Sequence, residues 1–260
     1  MADRLIDAVA AIAGEAGALA IGRARAGFTT WEKAPGQPVC DVDLDVDALL
    51  KRRLSALDPE AGWLSEETAD SADRLARPRT WMVDPIDGTR DFIRGRPGWA
   101  ISIALVARGQ AVLGVLAAPA RGELWRAELG GGAWLNGRRL AVADRQALPG
   151  ARVPADMLPA DDADLVAVPR PNSIALRIAM IAAGEVDLVA SLRWGREWDI
   201  AAAALIAGEA GAVVTDALGA PIGWNSPTAE LFGVLAAVPG IHDAARARLS
   251  ERAARAARRD

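Results

Sequence analysis

The chain opens on an apolar stripe. Leu5, Val9, Ile12, Ala16 and Leu19 recur at three- and four-residue spacing, which predicts an amphipathic helix over residues 3–25 with that face against the body. A polar stretch follows over residues 27–38, and then Leu49, Leu50 and Leu54 predict a second helix reaching Pro59, with Asp47 near its start. A short apolar run over 80–86 ends in Asp-Pro, and residues 99–107, 111–117 and 123–128 read as strands joined by Arg-Gly-Gln and Pro-Ala-Arg-Gly turns. Asn136-Gly137 marks another tight turn. Residues 149–171 are irregular and rich in proline, which sets a soft boundary near residue 150 between two intimately packed halves, 1–150 and 151–260. Beyond it the pattern predicts a helix over 173–184, a strand over 186–191, an alanine-rich helix over 199–208, a strand over 211–216 and a closing helix over 240–258. Helices and strands mix throughout and antiparallel hairpins are prominent, so the class is mixed α/β.

Composition narrows the chemistry. The 260 residues are 52% hydrophobic and 25% charged, as in an ordinary globular chain large enough for a sizeable core. Lys plus Arg number 30 against 34 Asp plus Glu, a net charge of -4, which gives no field for a nucleic acid polymer or an anionic membrane. The arginine-rich end, residues 246–259, reads as a solvated helix face. Asp3, Arg4, Asp7 and Glu15 interrupt the N-terminal stretch, so neither a signal peptide nor a membrane span is expected, and the cytoplasm is the expected location. One cysteine, Cys40, and one histidine, His242, exclude an intrachain disulfide, a zinc site of Cys and His, and any chemistry needing two histidines. His242 has no nucleophile-elbow motif to serve. The apparatus must be carboxylates, hydroxyls and backbone.

Three acidic clusters supply it. Asp41, Asp43, Asp45 and Asp47 alternate with apolar residues; they do not form an EF-hand, because Val46 stands where the turn glycine is needed and Arg52 where the bidentate glutamate is needed. Ser65-Glu66-Glu67-Thr68 follows the apolar Trp63-Leu64. Asp84-Pro85-Ile86-Asp87-Gly88-Thr89 closes the strand over 80–86: Pro85 biases Asp84 towards extended geometry and Gly88 permits a close backbone approach. A helix entered from Gly88 onward would set free N–H groups beside those carboxylates, joining cation ligands to a phosphate cradle. Asp84 and Asp87 resist joint ionisation unless a cation compensates, and Mg²⁺, a hard ion that prefers oxygen, is the economical partner.

The hexapeptide with Phe92 resembles the signature of the inositol monophosphatase superfamily, the Mg²⁺-dependent, lithium-sensitive phosphomonoesterases. Ser65-Glu66-Glu67, about twenty residues upstream, resembles that family's paired-glutamate motif, and Glu197-Trp198-Asp199-Ile200-Ala201-Ala202 its Trp-Asp motif. The resemblance spans the first helix to about residue 245. It implies a layered αβαβα sandwich. It also implies that Glu66, Asp84, Asp87, Asp199 and the Ile86 carbonyl hold two or three Mg²⁺ ions, that Thr89 with Asp43 activates the attacking water, and that the N–H groups of Gly88 and Thr89 bind phosphate. Cys40 stands where the family often has Thr and Ala203 where it usually has Gly; neither removes a ligand.

Within the family, Leu64-Ser65-Glu66-Glu67 and Glu197-Trp198-Asp199 look closer to the bacterial 3'(2'),5'-bisphosphate nucleotidase (CysQ-type) branch. That branch implies hydrolysis of 3'-phosphoadenosine 5'-phosphate to AMP. Leu192, seven residues before Asp199, stands where inositol monophosphatases commonly carry a glutamate, and an apolar residue is a poor partner for a polyol. Arg177, Lys33 and Glu197 complete the expected substrate contacts, with Arg177 placed to pair with a second phosphate. The alternatives are an inositol-1-monophosphatase and a non-catalytic phosphate- or nucleotide-sensing protein. The expected partner is a small phosphate ester, with the chain a monomer or homodimer.

Overall fold

The computed structural model describes residues 2–258, with side chains from Leu5 onward; the side chains of Asp3 and Arg4, and Arg259 of the arginine-rich end, lie outside the described residues. In chain order the elements are α1 (Ala2–Ala26), β1 (Thr30–Ala34), β2 (Gln37–Cys40), α2 (Asp41–Leu57), β3 (Gly62–Ser65), β4 (Arg79–Asp87), α3 (Thr89–Ile93), β5 (Ala100–Ala107), β6 (Gln110–Ala118), β7 (Glu123–Glu128), β8 (Gly132–Leu135) and β9 (Arg138–Arg139). They continue with β10 (Arg152–Pro154), β11 (Val166–Val168), α4 (Ile174–Ala182), β12 (Leu188–Arg196), α5 (Glu197–Glu209), β13 (Val213–Thr215), β14 (Glu230–Ala237) and α6 (Pro239–Ala257).

Strands β3 to β9 form a seven-stranded sheet in sequence order, antiparallel except where β3 runs parallel to β4. One face is covered by α1 and α2, whose Val9, Ala16, Val46 and Leu50 share a core with Trp81, Ile101 and Val115. The other face carries α4 and α5, with Ile178, Ala202 and Ile206 packed on Met82, Ala104 and Leu116. Beyond these helices lies a three-stranded sheet ordered β12-β14-β13, and α6 closes its far side. The five layers are the αβαβα sandwich the sequence resemblance implied. Residues on both sides of position 150, among them Trp125, Leu140, Ile200 and Leu235, share one hydrophobic core.

The structure departs from the sequence expectation at several places: β1 and β2 pair within the stretch read as polar, β10 and β11 within the segment read as irregular, and β12 runs on to Arg196. The second helix begins at Asp41, not near Asp47: Val42, Val46, Leu50 and Leu54 are all buried at four-residue spacing, so the alternation of Asp with apolar residues is one helical stripe. The central strand of the small sheet, β14, goes unread in the sequence, because its Phe232 to Ala237 are buried without alternation. The arginine-rich end is more than a solvated face: Arg248 and Arg252 each make paired hydrogen bonds, 2.7 to 2.9 Å, to Asp164 and Asp162, tying α6 to the irregular segment.

Helix α1 has the length and apolar content of a membrane span over Leu5–Ala26, which the reading from charged positions passed over. Its Val9, Ala13, Ala16 and Ala20 are fully buried against the sheet and α2, as befits a core helix.

Candidate active site

Two bulges shape the cleft. In β4 the pairing with β5 runs Asp84 to Ser102 and Asp87 to Ala100, three residues against two. Residues three apart in a regular strand face opposite sides. The extra residue of the bulge corrects this, so Asp84 and Asp87 line one cavity. Strand β3 brings in Glu66, whose N–H donates to the carbonyl of Val83 at 3.3 Å. The cavity, about 230 Å³, is lined by Glu66, Asp84, Ile86, Asp87, Thr89 and Asp199, together with Gly88.

Gly88 has φ 95, and a Cβ there would lie 2.8 Å from the carbonyl of Gly98 and 2.8 Å from the nitrogen of Ser173. Both the left-handed backbone and the closeness of the Gly98 and Ser173 backbone require glycine. The chain then turns into α3, carrying Thr89 in its first turn. The Thr89 hydroxyl is 3.2 Å from Oδ1 of Asp43 and 3.0 Å from the carbonyl oxygen of Ile86. Asp43 is 1% exposed and is held from its other side, where Oδ2 accepts the N–H of Cys40 at 2.9 Å and its thiol at 2.8 Å. Burial and the neighbouring carboxylate push the Cys40 thiol up to about 12, so it remains a proton donor to Asp43.

The acids strain against one another. Burial, followed by the charges of Glu66, Asp87, Asp199 and Asp43, lifts Asp84 well above the usual carboxylate range. Asp199 rises for the same reasons, burial first and then Asp87 and Glu66. Asp87 is pushed up to about 6 by burial, with hydrogen bonds from the Ser173 hydroxyl and the Ala175 N–H and the charge of Arg177 working the other way. Burial likewise raises Asp43.

Among the described residues no three His, Cys, Asp or Glu side chains converge as a group that could hold a metal ion. Glu66, Asp84, Asp87 and Asp199 share the wall of one cavity. Lys33 on β1 borders them: its ammonium binds Glu67 and lies 3.4 Å from Glu66. The donor set is nevertheless all oxygen, and its mutual repulsion is what a divalent cation relieves, so the residues fit a hard ion such as Mg²⁺ in chemistry.

The expected substrate contacts fare unequally. Arg177, on α4, lines a second cavity of about 310 Å³ that shares Asn172 and Asp199 with the first. Lys33 lines a third space that also meets Glu66 and Asp199. Leu192 does not reach the cleft. The pairing of β12 with β14 steps from Ser191–Val234 to Trp194–Phe232, a second bulge, which leaves Leu192 packed on Phe232 and Ala217 while Ser191 and Arg193 line the cavity. Glu197 does not reach it either: it is 1% exposed, and its two oxygens accept the N–H groups of Asn225 and Ser226 at 2.5 and 2.9 Å.

Several supporting residues go unread in the sequence. Arg74, 2% exposed, grips the same loop through Asn225 Oδ1 at 2.5 Å and the carbonyl of Ser226 at 2.8 Å while bound to Asp70. Together with Glu197 it fixes the segment against which α5, the helix bearing Asp199, begins. Asp47 takes the hydroxyls of Ser65 and Thr68 at 2.5 and 2.6 Å, clamping both sides of Glu66-Glu67. Ser173 is the residue a sequence signal could have found, since serine before an apolar helical run is an N-cap, and here its hydroxyl accepts from Leu176 N at 2.9 Å.

The geometry agrees with what the chain is similar to. The model of the inositol monophosphatase family matches residues 1–259. An inositol-1-monophosphatase of Mesorhizobium japonicum is 37% identical over 198 residues, covering 71% of this chain and 74% of its own. One of Mycobacterium leprae is 36% identical over 248 residues, covering 86% and 82%. The solved structure of a Thermotoga maritima IMPase superposes with a TM-score of 0.82 at 28% identity, covering 98% of this chain and 99% of that one. With the layered fold and the carboxylate cleft in place, this chain belongs to the inositol monophosphatase family, whose members are phosphoric monoester hydrolases.

Proposed function

We propose that this protein is an inositol-1-monophosphatase-type enzyme, hydrolysing a small phosphate monoester with Mg²⁺ and an activated water. The observation that carries the chemistry is the gathering of Glu66, Asp84, Asp87, Asp199 and the Ile86 carbonyl around one cavity beside the Thr89–Asp43 pair. In this reading those five groups hold the metal, which supplies charge neutralisation at the phosphate and lowers the pKa of water. Thr89, giving its one proton to Asp43 or Ile86, keeps lone pairs to accept from the attacking water and orient it towards phosphorus. The N–H groups of Gly88 and Thr89 bind phosphate oxygens.

The substrate assignment rests on the two relatives reported above, each named inositol-1-monophosphatase. The nucleotidase branch expected from local sequence has less support from Leu192, which is partly buried against Phe232 and Ala217 and is not among the residues lining the cleft. The test is phosphate release with Mg²⁺ from inositol 1-phosphate and 3'-phosphoadenosine 5'-phosphate side by side. A higher kcat/KM for the inositol ester is expected. A hundredfold preference for the nucleotide, about 2.7 kcal/mol of transition-state discrimination, would restore the nucleotidase reading. No Mg²⁺-dependent release from either ester would favour the sensing protein.

A further inference from the structure

Asp43 meets Thr89 through one of its two oxygens, and what selects that oxygen is Cys40. Cys40 closes β2 and stands immediately before α2, the helix whose first turn carries Asp43. Its backbone N–H at 2.9 Å and its thiol at 2.8 Å both donate to Oδ2, which leaves Oδ1 to the Thr89 hydroxyl at 3.2 Å. The N–H bond is the returning half of a helix capping box and survives any substitution at position 40 except proline. The thiol bond is the part that this side chain supplies.

Both groups are sealed from water, Cys40 at 0% and Asp43 at 1% exposed, so solvent does not take over if the thiol is removed. With no second cysteine in the chain, a disulfide within it is closed to this sulfur. Burial first, and then the charge of Asp43, keep the proton on it. In return, burial works against the charge of Asp43, and the thiol is the strongest of the neighbours that oppose this.

The Thr89 hydroxyl has one proton and two acceptors, Oδ1 of Asp43 at 3.2 Å and the Ile86 carbonyl at 3.0 Å. The two choices are not equivalent. A bond to a carboxylate is charge-assisted and polarises the hydroxyl, which makes its oxygen the better acceptor for a water, and a bond to a neutral carbonyl does less. The shorter distance favours Ile86, so Asp43 takes the proton only while Oδ1 stays aimed and charged.

We propose that Cys40 is a positioning residue for catalysis: its thiol fixes the Asp43 carboxylate so that Oδ1, and not the Ile86 carbonyl, takes the Thr89 proton. This rests on the phosphatase reading above and adds to it a residue that touches neither substrate nor metal.

The test compares Cys40→Val, which fills the space without a donor, with Cys40→Ser, which keeps a donor in a smaller side chain. Turnover is measured with Mg²⁺ on whichever of inositol 1-phosphate and 3'-phosphoadenosine 5'-phosphate the wild type hydrolyses faster. Cys40→Val should lose about tenfold in kcat, the worth of one hydrogen bond to a charged group, with KM within twofold of wild type. Cys40→Ser should keep at least half of wild-type kcat. A packing role predicts the reverse order, since valine fills the site better than serine, and thermal melts of both variants read that separately. In a Thr89→Val background Cys40→Val should change kcat by less than twofold, because the hydroxyl through which it acts is gone. If Cys40→Val does not fold, Cys40→Ala takes its place with the same expectations. A donor-free variant that matches or exceeds Cys40→Ser in kcat, or a loss that persists in full without the Thr89 hydroxyl, would overturn the positioning role and leave the phosphatase reading intact. Wild-type protein that releases phosphate from neither ester would overturn the phosphatase reading itself.

Discussion

The Thr89 hydroxyl stands 3.2 Å from Oδ1 of Asp43 and 3.0 Å from the carbonyl of Ile86, two acceptors for one proton. Asp43 comes from the first turn of α2 and Thr89 from the turn after β4, so the pair exists only because both elements pack on one sheet. Thr89→Val keeps the shape and removes the hydroxyl. Its kcat should fall by about 10²- to 10⁴-fold, the usual range for a lost proton-transfer group. KM should change little, since the backbone N–H groups assigned to phosphate binding, that of residue 89 included, are kept. Steady-state kinetics with Mg²⁺ would show it, and a variant within threefold of wild-type kcat would remove Thr89 from the chemistry.

Asp84→Asn removes the most crowded of the buried charges. In the metal-free protein Asp84, Asp87 and Asp199 all have folded pKa values above their unfolded ones. Their protonated forms therefore support the fold below about pH 4, and that support is lost as pH rises through the folded values, about 6 for Asp87. Without divalent cation, Asp84→Asn should melt above wild type at pH 7, by roughly 2–4 °C for each 1 kcal/mol gained, with the gap closing towards pH 4. Mg²⁺ should raise the wild-type midpoint and leave the variant nearly unchanged. Thermal melts with and without Mg²⁺ decide the point.

Gly233 has φ 61, and a Cβ there would come within 2.0 Å of the Ser191 carbonyl and 2.8 Å from the Ala217 side chain. Gly233→Ala cannot keep the β12 bulge as it stands. It should lower stability by about 1–3 kcal/mol and shift Ser191 and Arg193 in the cleft. Urea denaturation reads the first effect. A change in the substrate ratio of the folded variant reads the second, and a variant with wild-type stability would show that the bulge adapts without cost.

His242 is the chain's single histidine, 5% exposed, with Nε2 3.2 Å from the Thr215 hydroxyl. Burial holds its pKa below the ordinary value, with Arg246 adding to the effect and Asp243 opposing it. The stability it contributes is full above about pH 6.5 and is lost as pH falls through the lower folded value, because the unfolded chain takes up the proton first. Proton NMR of the one imidazole should titrate below 6.5. A midpoint at or above that value would mean the ring is reached by water.

The sequence by itself determined the contiguous chemistry. Asp84-Pro85-Ile86-Asp87-Gly88-Thr89 is legible because its parts are neighbours in the chain, and the scarcity of His and Cys left oxygen donors alone to carry the site. The main helices and the long hairpin strands were legible as well, since their periodicity is local. Only the tertiary structure decided which side of β12 faces the cleft. Counting residues back from Asp199 points to Leu192, but at the bulge Leu192 packs, partly buried, against Phe232 and Ala217 while Ser191 and Arg193 line the cavity. A register shift of one residue inverts a strand, and nothing in the local sequence reports where it occurs. Glu197 was misplaced for a related reason: its motif position was readable, but its partners Asn225 and Ser226 lie 28 and 29 residues away. Strand β14 stayed hidden because burial on both faces erases alternation. What a side chain's neighbours in the chain fix could be read directly; what the pairing of distant strands fixes needed the fold.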